Sequence, residues 1–250
     1  MSISIIVLCY NDALTVPILV QHLHQVLTSL TDHFEILVVD DGSRDTIQEI
    51  PNARILRHNS NQGVGAAFRT GWRASQYDWV GYIDGDNQYD AEDFVLLANE
   101  LAQGAEIASG ARIHRADRFS RRLITRCFNS MMHRIYGTPL TDTNSGIKLY
   151  TRDLLQAAEP LISNCAFFDA EILIKAQKAG RRIVEVPVSH YPRCHGHALG
   201  ISPRNLRDEL AGLSRSHWED YARPGMLSWG LRGLLGIVAW LMTKVTQRLP

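Results

Sequence analysis

Cysteine is scarce in this chain. Cys9, Cys127, Cys165 and Cys194 are its four cysteines, scattered over 250 residues. No pair has the close spacing of a zinc site, and the set reads as reduced thiols in a cytosolic protein. Net charge is lacking too: 26 basic residues balance 26 acidic ones, so nothing global suggests nucleic acid. There is no internal repeat and no low-complexity linker. Met1-Ser2-Ile3-Ser4-Ile5 enters a strand directly, without the basic start and cleavage site of a signal peptide. What is present, at 45% hydrophobic content, suffices for one large domain or a domain with an appendage.

Strand and helix signals alternate. Ser2 to Cys9 is a nearly continuous apolar run, as for a strand buried on both faces. A helix is expected from about Thr15 to Leu30, with Pro17 in its first turn. Further strands are expected at Glu35 to Val39, Ala53 to Arg57, Trp79 to Ile83, Glu106 to Ser109, Gly146 to Thr151 and Ile183 to Val188. Helices are expected from Ala66 to Ser75 and Ala91 to Ala102, and from near Asp169 to Ala179. This order argues an α/β fold: a mostly parallel sheet with helices on both faces. Gly63-Val64-Gly65 at a helix start superficially suggests a dinucleotide fingerprint. The third glycine is missing, and the first strand ends in Cys9-Tyr10-Asn11 rather than in glycines.

Acids gather at the ends of strands: Asp12 after the first, Asp40 and Asp41 after the second, Asp84 and Asp86 after the fourth. Asp84, Asp86 and Gln88 alternate, so three oxygen donors can converge. Such a set suits a hard divalent cation that keeps waters and takes other ligands from a diphosphate. Taken alone, Asp-x-Asp also fits a polar turn, with Asp90 capping the next helix. Acids at three strand ends along one sheet edge repel one another. A cation and a ligand with many donors, such as a nucleotide sugar, would relieve that repulsion.

Four ordered stretches resemble the motifs of family 2 inverting glycosyltransferases with the GT-A fold. They are Ser4 to Asp12, Val38-Val39-Asp40-Asp41-Gly42-Ser43, Asn61 to Ala67 and Asp84-Gly85-Asp86-Asn87-Gln88. Gln88, Ser109-Gly110-Ala111-Arg112, Asp142 to Tyr150 and Gly180 to Val188 are similar to the polyprenyl-phosphate (dolichol-phosphate) mannosyl- and glucosyltransferases. Departures are Leu8 for the usual proline, Asp12 for glutamate, Gly85 for alanine, and Arg193-Cys194-His195-Gly196-His197 for a basic pair, a glycine and a serine. The resemblance implies a metal (Mg2+ or Mn2+) held by Asp86 and Gln88, with Asp84 on the metal or the sugar-ribose region. It implies nucleotide-sugar contacts from Tyr10, Asp12, Asp41, Gly63 and Asp84, and catalytic roles for Asp84, Asp86, Asp142 and Arg112. It places an acceptor phosphate on Arg112 and a second arginine among Arg121, Arg122 and Arg126, with Arg193 a further candidate. Asp142 equally fits an Asx turn, and the helix arginines equally fit a solvated amphipathic face. A phosphate acceptor needs no general base; for a hydroxyl acceptor, Asp169 and Glu171 are the base candidates. His190, His195 and His197 are too irregularly spaced for a metal site.

The last stretch differs in kind. Met226 to Thr243 is largely apolar, no acid occurs from Met226 to Pro250, and Lys244 and Arg248 follow. As a helix it would span ~27 Å, just short of a bilayer core. A weakly polar stripe (Ser228, Arg232, Gly236, Ala239, Thr243) beside an apolar one suggests a helix lying in the membrane interface. A span, or packing on the domain or on a second copy, are the alternatives. The expected organisation is a catalytic domain over 1–200 and a helical tail over 201–250. The expected function is metal-dependent transfer of a hexose from a nucleotide sugar, of the GDP-mannose or UDP-glucose type, to a polyprenyl phosphate at the cytoplasmic membrane face. A hydroxyl acceptor on a glycan or lipid is the alternative, followed by a non-catalytic nucleotide-sugar-binding subunit.

Overall fold

The computed structural model describes residues 1–45, 47–113 and 119–193, with the backbone alone at 119–124, 127 and 131. The elements are β1 (Ile3–Cys9), α1 (Val16–Leu30), β2 (Phe34–Asp40), β3 (Arg54–Arg57), α2 (Val64–Ala74), β4 (Trp79–Asp84) and α3 (Asp93–Ala102). They continue with β5 (Ile107–Arg112), α4 (Phe119–Tyr136), β6 (Ile147–Thr151), α5 (Arg152–Ala157), α6 (Phe167–Lys178) and β7 (Ile183–Val188). The expected tail helix lies outside the described residues.

The seven strands form one sheet in the order β3-β2-β1-β4-β6-β5-β7. All pairs are parallel except those of β6, which runs antiparallel to both β4 and β5. Every residue of β1 is buried, because both faces of the sheet are covered. Ile3, Ile5, Val7 and Cys9 pack with α1 and α3, whereas Ile6 and Leu8 pack with α2, α5 and α6. In α1, Val16, Leu19, Val20, Leu23, Val26 and Leu27 form the buried stripe, at the spacing of one helical face.

The chain steps outward from β1 to β2 and β3, then returns to lay β4 on the other side of β1. Open α/β sheets bind ligands at such a switch point, outside the carboxyl ends of the strands. Asp12 follows β1 and Asp84 ends β4, so the two acidic turns are neighbours. The pairing Leu8↔Asp84 and the bond from Gly85 N–H to Leu8 O at 2.8 Å hold them together. The reversed β6 is a difference from a simple parallel sheet. It brings the start of a strand, Gly146, to this edge beside Asp84, whose N–H donates to Gly146 O at 3.0 Å.

Candidate active site

Two turns with left-handed asparagines build the centre of the site: Asn11 has φ 58 and Asn87 has φ 58. Asparagine tolerates that region better than most residues. Thr15 ties the turns together, its hydroxyl donating to Asp12 O at 3.1 Å and to Gly85 O at 2.7 Å. The carboxylates of Asp12 and Asp86 then meet on one guanidinium. Arg193 Nη2 lies 3.3 Å from Asp12 Oδ1 and 3.1 Å from Asp86 Oδ2. Burial lifts the Asp12 carboxyl above its ordinary range; Arg193 pulls it down and Asp86 pushes it up.

Asp84 is pushed up to about 8, chiefly by burial and then by the charges of Asp86 and Asp169, with Lys148 and Arg112 opposing. Its carboxylate accepts no hydrogen bond from the described residues. It occupies the place where a side chain of residue 146 would stand: a Cβ added to Gly146 would fall on Asp84 Oδ2. Gln88 donates from its N–H to Asp86 Oδ1 at 3.2 Å and from Nε2 to Tyr191 O at 2.8 Å. Its Oε1 is therefore the atom left to bind a cation. Among the described residues no group of three His, Cys, Asp or Glu side chains can hold a metal alone. The donor set of Asp84, Asp86 and Gln88 fits a cation that completes its shell with water and diphosphate oxygens.

The segment after β7 closes over this turn. Ser189 N–H donates to Asp93 Oδ2 at 3.0 Å, Tyr191 N–H to Gln88 O at 2.8 Å, and Tyr191 OH lies 3.4 Å from Asp90 Oδ2. Burial pushes Asp93 up to about 6. Asp90 Oδ1 accepts from Glu92 N–H at 3.0 Å, a local turn; the cap position of α3 is Glu92, with no side-chain cap bond, rather than Asp90 as expected. His190 packs edge-on against Tyr89 with ring centroids 5.2 Å apart.

The second strand end is already saturated by the protein. Asp40 accepts from Ser43 N–H and Arg57 Nε, at 2.9 and 2.8 Å. Asp41 Oδ1 accepts from Gln62 N–H at 2.9 Å and lies 2.7 Å from His58 Nδ1, while Oδ2 accepts from Gly63 N–H at 2.8 Å. Gly65 N–H donates to Asn164 O at 2.9 Å. Gly63, at φ 101, sits against Asn164 O, so the start of α2 is engaged by Asp41 and the 159–165 segment. Tyr10 is half-buried just beyond β1.

Arg112 and Asp142 form a buried fork. Nε donates to Oδ2 at 2.6 Å and Nη2 to Oδ1 at 2.7 Å, with Asn144 O accepting from Nη2 at 3.2 Å. Glu185 of β7 accepts from Asp142 N–H at 2.8 Å, and Asn129 of α4 bonds both Thr141 O and Thr143 N–H. These contacts fix the 141–144 loop. The carboxylate of Asp142 is thus spent on Arg112, and the turn is made by its backbone, with Ser145 N–H 3.4 Å from Asp142 O. Arg126 is exposed on α4, while the Arg121 and Arg122 side chains lie outside the described residues. Arg112 and Arg193 hold different carboxylates.

Asp169 and Glu171 are sealed in the core. Glu171 accepts from Ile162 N–H, Ser163 N–H and Lys175 Nζ. Asp169 accepts from the Tyr82 phenol and pairs with Lys148. The sequence assigns Lys148 no role beyond its place in a motif. The available signal is a lone lysine inside the apolar strand Ile147–Thr151. Tyr89, whose OH accepts from Gly146 N–H at 2.8 Å, and Glu185 give no comparable signal.

Curated relatives resemble this chain in sequence, and solved structures resemble it in fold. Undecaprenyl-phosphate 4-deoxy-4-formamido-L-arabinose transferase of Pseudomonas paraeruginosa is 30% identical over 213 residues, covering 82% of this chain and 62% of the relative. Glycosyltransferase AglD of Haloferax volcanii is 28% identical over 242 residues, covering 89% of this chain and 38% of the relative. The chain thus spans 62% or less of the length of these two relatives. Glucosyl-3-phosphoglycerate synthase of Mycobacterium tuberculosis, solved with phosphoglyceric acid, superposes with a TM-score of 0.69 at 18% identity. That match covers 85% of this chain and 78% of the other, and it shows a shared fold. The same synthase has been solved with Mn2+, UDP-glucose and phosphoglyceric acid, with a TM-score of 0.68 at 18% identity and the same coverages. The model for glycosyl transferase family 2 matches residues 4–158, from β1 through the acidic turn and the Arg112–Asp142 fork, and the chain belongs to that family.

Proposed function

We propose that this protein is an inverting glycosyltransferase that moves a hexose from a nucleotide sugar to a polyprenyl phosphate at a membrane surface. The observation that carries the donor half is the meeting of Asp12 and Asp86 on one cation at the switch point, beside the buried carboxylate of Asp84. Asp86, Gln88 Oε1 and Asp84 would hold Mg2+ or Mn2+; the Mn2+ and UDP-glucose named for the solved synthase support this choice. Bound there, the cation would neutralise the leaving diphosphate. Tyr10 and Asp12 would line the nucleotide, and Asp41, with Gly63, would shape its far wall. Asp84 would orient the sugar-ribose region.

The acceptor half rests on chemistry. A hydroxyl acceptor needs a base that can reach it. Asp169 and Glu171 are sealed in the core, and Asp142 is spent on Arg112. A phosphate oxygen is anionic already and needs no base. The undecaprenyl-phosphate transferase named among the relatives supports the same class of acceptor. Arg193 is the arginine best placed to exchange a carboxylate for a phosphate, and a second arginine would come from the Arg121, Arg122 and Arg126 group. Arg112 would act through Asp142, by holding the loop.

The test is to incubate the protein with a panel of GDP- and UDP-sugars, Mn2+ and a short polyprenyl phosphate, and to follow glycolipid by mass. Product is expected from one donor, and Asp86→Asn should abolish most turnover while the melting curve stays intact. Absence of product from every donor would overturn the reading.

A further inference from the structure

Lys148 is a fully buried cation at the centre of the sheet, with a side-chain exposure of 0%. A lysine in the core needs acceptors for three N–H protons. It has three: Asp169 Oδ2 at 3.0 Å, Tyr82 OH at 3.0 Å and Ser145 O at 2.5 Å. Asp169 accepts in turn from the Tyr82 phenol, whose oxygen lies 2.7 and 2.6 Å from its two carboxylate oxygens. Tyr150 OH stands 3.4 Å away. Phe68 and Phe168 stack beside these rings at 4.9 Å, so the group is enclosed by apolar surface.

Stability alone explains this group poorly. Apolar residues of similar volume often replace a buried ion pair at no loss of stability. The group reaches toward the site, however, through the carbonyl of Ser145, which faces both the Lys148 ammonium and, at 3.0 Å, the Tyr82 hydroxyl. The next residue is Gly146, which lies against the Asp84 carboxylate. Pairing of β4 with β6 sets Tyr82 opposite Lys148. Residues two apart on a strand share a face, so Asp84 and Gly146 lie on the face that carries the Lys148 ammonium. The cation sits one register step behind the carboxylate.

We propose that Lys148, braced by Asp169 and Tyr82, is a positioning residue that fixes the Ser145–Gly146 turn beneath Asp84 and thereby sets that carboxylate in the donor site. The inference rests on the donor-site reading above. It assigns a task in the site to Lys148 and Asp169, neither of which touches substrate.

The test uses the full chain carrying Lys148→Met together with Asp169→Asn. The pair of changes removes both charges at once and leaves the phenols a partner, so no buried ion stays uncompensated. Melting within a few degrees of the unmodified protein is expected. Calorimetric titration with Mn2+ plus UDP, and with Mn2+ plus GDP, then reads the donor site without turnover. The variant should bind the accepted nucleotide about tenfold or more weakly, as when a supporting contact behind a ligand residue is lost. Tyr82→Phe keeps both charges, removes one brace, and should weaken binding by about threefold; it decides the matter if the double variant does not fold. Undiminished affinity in the folded double variant, or in Tyr82→Phe in its place, would overturn the proposal. Failure of the unmodified protein to bind either nucleotide would overturn the donor-site reading, and the proposal with it.

Discussion

Gly146 and Arg112 each meet the candidate site through a neighbour, Asp84 and Asp142 respectively. Where a side chain of residue 146 would stand, the Asp84 carboxylate is already present. Gly146→Ala should therefore displace Asp84, cost about 1–3 kcal/mol of stability through overpacking, and lower turnover about a hundredfold, as a misplacement of about 1 Å can. Steady-state kinetics beside a denaturant melt would check this; an active Ala variant would show that Asp84 does not need its present place. Arg112 was expected to grip an acceptor phosphate, and its fork instead closes on buried Asp142. Removing one partner of a buried pair strands the other, so Arg112→Ala should cost about 3–5 kcal/mol. Equilibrium unfolding in urea measures that loss. An unchanged midpoint, together with a raised KM for the lipid phosphate, would return Arg112 to the acceptor.

Among the elements, the segment after β7 and the reversed strand β6 complete the site. Asp93, in the first turn of α3, holds that segment through Ser189 N–H. Its carboxyl is raised from 3.8 to about 6 by burial. Between those values the folded protein keeps a proton that the unfolded chain has released, so Asp93 lowers stability as pH climbs through that window. Asp93→Asn keeps an acceptor for Ser189 and removes the titration. The Asn variant should gain melting temperature relative to the unmodified protein between about pH 4 and about pH 6 and hold the gain above it; a pH-independent difference would contradict the cause assigned. The alternation of strands and helices was legible because buried strands leave apolar runs and helices leave a periodic stripe. Acids at strand ends were legible because nothing in the core tolerates them unpaired. The direction of β6 was not legible, since strand direction is set by pairing partners rather than by local pattern. The six-residue α5 is too short to leave a period. Asp169 and Glu171 are base candidates at a helix start in the sequence; in the fold they are buried among tertiary contacts with Tyr82, Lys148 and Lys175.

At the scale of the whole molecule, the proposed donor site at the sheet edge would have to meet a lipid-borne acceptor. The segment 226–250 offers a largely apolar run followed by the cations Lys244 and Arg248, with no acid, a pattern suited to anionic membrane surfaces. Deleting 226–250 should release the protein from vesicles in a sedimentation assay and leave Mn2+-dependent nucleotide binding intact; continued sedimentation would remove the anchor role. The central claim is that an anionic phosphate, and not a hydroxyl, receives the sugar. It is tested most directly by offering the protein, under one donor and Mn2+, a short polyprenyl phosphate and the matching free polyprenol, and weighing the products by mass spectrometry. The account predicts a glycosylated phosphate, lost in excess chelator, and no glycosylated polyprenol. Equal glycosylation of the free polyprenol, or full product in excess chelator, would contradict it.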